Sequence, residues 1–155
     1  MYDRFKAIEY AKLYYNKRNP LFYAFDKLGG DCTNYISQCL WASGQKMNYF
    51  PTGWFYTNLT DRSASWTGVD EFFEFVTTNQ GDGPRARVVN MSELMVGDVV
   101  QLGNDKGYFH TLLVNRIEYP TTIKSIYVTA HDRDCYDRSL DSYIFKTIRF
   151  LHILD

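Results

Sequence analysis

Apolar residues recur at helical spacing in the first half of the chain and gather into strand-like runs in the second. Phe5, Ile8, Ala11 and Tyr15 mark one face of a helix over residues 3–15, with Asp3 as its cap and Asn19-Pro20 as its end. Tyr35, Ile36, Cys39 and Leu40 do the same for a helix over 32–42, stopped by Gly44. A third helix carries Val69, Phe72, Phe73 and Val76 and takes Thr67 as its cap. Residues 45–64, with Pro51 and Gly53, read as a loop long enough to be functional. Past the turn cluster Asn79–Pro84 the pattern changes to strands: Val96–Leu102 around a Gly97-Asp98 bend, His110–Ile117, Ile123–Ala130 and Thr147–Ile153. Helices first and strands later predict an α+β class, an antiparallel sheet with helices packed on it. No repeat or linker interrupts this order, so residues 1–155 are expected to form a single domain.

The candidate chemistry sits where Gly29-Gly30 gives way to the second helix. Cys32 opens that helix, at the end that carries partial positive charge and free backbone N–H groups. Such a position favours thiolate over thiol and offers the Cys32 N–H to an oxyanion forming beside the sulfur. Asp31 reads as the N-cap, its carboxylate accepting from Thr33 or Asn34 N–H. A small cysteine on a buried apolar helix face is the competing reading. Cys39 lies deeper on the same helix, which makes Cys32 the expected reactive thiol.

A thiolate nucleophile needs a base, and the chain holds three histidines, His110, His131 and His152. His110 begins a strand at a loop edge, and His131 closes the next apolar run. Adjacent strands would bring these two together, while His152 alternates within the last strand and reads as structural. Strand alternation lets only one of His131 and Asp132 point at His110.

These pieces resemble the putative amidase domain family, a branch of the papain-like cysteine hydrolases that includes CHAP-type amidases and NlpC-type cell-wall endopeptidases. The matching segments run in order through nearly the whole chain: the opening helix YDRFKAIEYAKLYYNKRNP, FDKLGGDCTNYISQCLWASG, the aromatic WFY at Trp54–Tyr56, SASWTGVDEFFEF, LMVGDVVQL, FHTLLV and YVTAHDRD. GGDCTNYISQ is the specific one. The resemblance implies a papain-like core, Cys32 as nucleophile, His110 as general base and acid, and His131 as the orienting residue, with Asp132 as the alternative. It implies amide or peptide hydrolysis through a Cys32 thioester, on a small-molecule or peptide acyl substrate. An amide-forming acyltransferase, moving an acyl group from a thioester on a carrier protein to an amine, would share every catalytic residue. A non-catalytic binding module fits less well with the retained Cys32, His110 and His131.

Composition narrows the partners. Apolar residues make up 45% and charged residues 23%, with a net charge of −1 and a pI near 6.3. Nucleic acid and anionic membranes need basic patches that this sequence lacks. Three cysteines make no disulfide framework and no zinc-type spacing, so neither metal nor other cofactor is expected. With no leader visible after Met1 and no run near about 18 apolar residues, a cytoplasmic protein is expected. Trp54, Tyr56 and Trp66 stand out among the aromatics. They read either as a substrate-binding wall or as a loop pinned to the core.

Overall fold

The computed structural model describes residues 1–155. Two helices lead. Helix α1 spans Arg4–Tyr14, with Asp3 accepting from Lys6 N–H at 3.1 Å as predicted. Its buried stripe is Ala7 and Ala11, while Phe5 is 72% exposed. The predicted face is therefore rotated, because small alanines let α1 pack closely on α2, Cys32–Ala42. A short hairpin of β1 (Tyr56–Asn58) and β2 (Asp61–Arg62) forms inside the predicted loop. Helix α3 (Ala64–Thr67) follows, and α4 (Val69–Thr78) begins after Gly68. Thr67 thus closes one helix and does not cap the next.

The remaining strands are β3 (Ala86–Val89), β4 (Val99–Asn104), β5 (Gly107–Ile117), β6 (Ile126–Ala130), β7 (Cys135–Ser139) and β8 (Thr147–Ile153). They form one antiparallel sheet in the order β3-β8-β4-β5-β6-β7, so the class is α+β. Alternation divides each strand between two cores. Val99, Leu113, Leu151 and Ile153 face the helices, meeting Ile36, Leu40, Phe72 and the tryptophans. Val100, Leu112, Val114, Val128 and Phe150 fill the other side, which Leu94 and Leu140 help to close. No helix is long and apolar enough to cross a membrane.

The aromatic wall is not a wall. Trp54 and Trp66 are fully buried with ring centroids 4.6 Å apart, and Tyr56 is 9% exposed. Trp54 Nε1 donates to Ser37 Oγ at 3.1 Å and Trp66 Nε1 to Asn34 Oδ1 at 2.9 Å. Tyr56 Oη accepts from Tyr23 N–H at 2.7 Å. The two tryptophans fasten their segment onto α2 and Tyr56 ties it to Tyr23, and none of them lines the cleft described below. Trp54, Tyr56 and Trp66 thus belong to the core and not to a substrate-binding wall. Trp66→Ala is expected to cost about 3–5 kcal/mol, read as a lowered midpoint in urea unfolding. An unshifted midpoint would mean the ring is not core.

Candidate active site

Helix α2 delivers Cys32 and β5 delivers His110, and the turn after β6 brings Asp132 between them. The β5–β6 register pairs Leu113 with Thr129 and Val114 with Val128. Continued past the end of the ladder, that register sets residue 132 opposite His110. The strand ends at Ala130, so alternation no longer governs 131 and 132. Asp132 and Arg133 instead take left-handed backbone conformations, φ 63° and 65°, which aspartate tolerates better than most residues.

A sulfur, an imidazole nitrogen and a carboxylate oxygen from Cys32, His110 and Asp132 all lie within 4.8 Å of one another. Cys32 is 5% and His110 7% exposed. A cleft of about 690 Å³ opens onto His110 and Asp132, with Asp26, Arg133, Arg138, Phe109 and Tyr143 among its other walls. Cys32 lies beneath the His110–Asp132 rim and does not line the open part. The His110 side chain makes no hydrogen bond; its ring is parallel to that of Phe109 and 5.7 Å from that of Tyr143.

Asp132 closes the helix terminus. Its carboxylate accepts from Asp31 N–H at 2.8 Å and from Cys32 N–H at 3.3 Å. Gly30, at φ 96°, makes this possible: a Cβ there would stand 2.6 Å from Asp132 Oδ2. The N–H that an oxyanion would use is therefore held by a side-chain anion in the free protein.

Asp31 serves a different purpose from the predicted cap. Its Oδ1 accepts from Phe25 N–H at 2.8 Å and Asn34 Nδ2 at 2.9 Å, and its Oδ2 lies 2.5 Å from His131 Nδ1. The Nε2 of His131 lies 2.8 Å from the Tyr14 carbonyl oxygen and 3.1 Å from Arg18 Nη1, and its ring stacks on Tyr35 at 4.0 Å. Both nitrogens of His131 are spent on these partners. The geometry thus corrects the placement of His131 as the orienting residue: it anchors the turn and the helix start, and Asp132 is the group that reaches the cysteine and histidine. Arg18 extends the network to Asp26 at 2.5 Å and Asp134 at 2.9 Å. His152 pairs with buried Asp98 at 3.0 Å, away from the cleft.

Electrostatics also differ from the helix-terminus expectation. Burial pushes the Cys32 thiol up to about 11, and the Asp132 charge adds to the rise. Hydrogen bonds from Thr111 and Thr33 pull the other way without prevailing. The N-terminal field is largely answered by Asp132, and desolvation of the sulfur decides the sign. Burial pushes His110 down to about 4, against an opposing pull from Asp132. At neutral pH both groups rest uncharged.

The depressed histidine predicts acid lability. Between pH 6.5 and about 4 the unfolded chain protonates this side chain and the folded chain does not. Stability should therefore fall by up to about 3 kcal/mol as pH drops through that window. Denaturant midpoints at pH 7 and pH 4.5 read the loss, and His110→Gln should flatten it. An equal slope in the variant would place the proton elsewhere.

Sequence reasoning missed Asp26, Arg138 and Tyr143 as cleft residues. Arg138 and Tyr143 belong to β7 and the turn after it, which carry no periodic signal. Arg138 lies over the Tyr143 ring at 3.7 Å.

A thiol, an imidazole and a carboxylate thus meet where a helix start abuts an antiparallel sheet, the donor set of a hydrolytic thiol centre and also one a metal could use. The chain belongs to the putative amidase domain family, whose pattern matches residues 1–154. The family's description points to amide hydrolysis and so to an enzyme. The chain is also 40% identical over 119 residues, 73% of its length, to the uncharacterized protein YhbB of Bacillus subtilis (strain 168). It spans 37% of that relative's length. No solved structure matches.

Proposed function

We propose that this protein hydrolyses an amide or peptide bond through a Cys32 thioester, with a papain-like division of labour between α2 and the sheet. The observation that carries the reading is the cluster of Cys32, His110 and Asp132 within 4.8 Å, two of whose members, His110 and Asp132, line a cleft. The substrate carbonyl enters and its oxygen replaces the Asp132 carboxylate at Cys32 N–H. The displaced carboxylate turns to His110, where it stabilises the imidazolium that forms as His110 takes the thiol proton. Sulfur bonds to the carbonyl carbon, the C–N bond breaks, and His110 returns the proton to the leaving amine. Water, deprotonated by His110, then attacks the thioester; the C–S bond breaks and the thiol is restored.

Water as acceptor is supported by the open cleft and its charged lining of Asp26, Asp132, Arg133 and Arg138. Transfer to an amine needs a dry thioester, and the aromatics suggested to shield it are in the core. The substrate is an acylated small molecule or a short peptide. The test is a panel of N-acyl amino amides and dipeptides in heavy-oxygen water. Acid product carrying the heavy oxygen, absent with Cys32→Ala, is expected. Product formed equally by Cys32→Ala would overturn the reading.

A further inference from the structure

We propose that Cys32, His110 and Asp132 bind a zinc ion that shuts the site off. Three different donors converge there: a sulfur, an imidazole nitrogen and a carboxylate oxygen, all within 4.8 Å. Zinc takes these donors at about 2.0–2.3 Å, which sets ligand atoms about 3.5 Å apart around a tetrahedron. Side-chain rotations that draw the three together by about 1 Å would complete three corners of that tetrahedron. A thiolate with an imidazole selects zinc or cobalt over calcium and magnesium, which want oxygen alone.

The surroundings suit a metal. Thiolate and carboxylate together cancel the charge of a divalent ion, so burial of the complex leaves no net charge. Asp132 is already oriented by two backbone N–H groups, at 2.8 and 3.3 Å, while its other lone pairs remain available. The His110 side chain has no hydrogen bond to break in turning toward the ion. His110 and Asp132 line the cleft, so a water entering from it could supply the fourth ligand. Binding displaces the thiol proton: the S–H bond breaks, a sulfur–metal bond forms and one proton is released to solvent.

The shut-off rests on Cys32 being the nucleophile, as proposed above; metal binding does not. The full chain, freed of metal with chelator, is titrated with cobalt(II) as a spectroscopic probe, then with zinc. A thiolate-to-cobalt charge-transfer band in the near ultraviolet is expected, saturating at one ion per chain and abolished by zinc. Cys32→Ser, shown folded by circular dichroism, should lose the band, and Cys135→Ser should keep it. Asp132→Asn should weaken cobalt binding by about 10–100-fold or more. No band, or a band that survives Cys32→Ser, overturns the site. In the amidase assay, zinc should inhibit and chelator should restore turnover. Activation by zinc would overturn the shut-off, whereas a chain that binds cobalt and cleaves no amide would fail only the amidase reading.

Discussion

Cys32→Ala and His110→Ala are each expected to lower kcat by about 10⁴–10⁶-fold, and the double variant to be no worse than either. The pair acts as one unit: without the base the buried thiol keeps its proton, and without the sulfur the base has nothing to activate. Neither substitution should unfold the chain. Cys32 Sγ makes only weak sulfur contacts, to Thr33 Oγ1 at 3.8 Å and to the Thr111 and Thr33 backbone, and the His110 side chain leaves no hydrogen-bond partner stranded. His152→Ala should act differently, loosening Asp98 and lowering stability while leaving kcat near that of the parent. Steady-state turnover with circular dichroism on the same samples decides this. Losses that multiply in the double variant would mean that Cys32 and His110 act independently.

Asp132→Asn should move two readouts in opposite directions. Turnover should fall by about 10²–10⁴-fold, because the imidazolium on His110 loses its counter-charge. Alkylation of Cys32 by iodoacetamide, in chelator at pH 8, should become several-fold faster, because the negative charge that opposes thiolate formation is gone. Asparagine fits the left-handed backbone at position 132, and its Oδ1 can still accept from Asp31 N–H, while its Nδ2 replaces the oxygen that accepts from Cys32 N–H. The negative charge is removed together with the longer of the two contacts at the helix start. Slower alkylation together with slower turnover would show that Asp132 acts through structure and not through charge.

How much of this was legible depended on whether the determining forces were local. Helix 32–42 and strand 147–153 emerge with the bounds their sequences predict: Gly44 stops the helix, which is buried on all sides through Leu40, and the strand alternates its side chains between the two cores. Strands β3 and β7 were invisible. ARVV and CYDRS have no clean alternation, and they are strands because β8 and β6 lend them hydrogen bonds. Trp54 and Trp66 could be read either way from sequence. Their polar partners Ser37 and Asn34 are buried on α2, and no spacing rule reveals that pairing.

Within the site, proximity of Cys32 to a β5 histidine was legible, and its electrostatics were not. A local cap was the sufficient explanation of Asp31, yet its carboxylate is taken by His131, 100 residues later. Alternation allowed only one of His131 and Asp132 to face His110, and the resemblance put His131 in that place; past Ala130 the chain leaves the strand, and it is Asp132 that turns in. The helix field was expected to depress the thiol, but burial and a neighbouring anion raise it, and neither is visible in a one-dimensional pattern.

The central claim is that Cys32 carries the acyl group, and acid quenching within one turnover followed by intact-mass measurement tests it most directly. With an N-acyl amino amide as substrate, the chain should gain the mass of the acyl group. Peptide mapping should place it on Cys32, and hydroxylamine should remove it as expected of a thioester. An adduct on any other residue, or turnover with no adduct at any time point, would contradict the account.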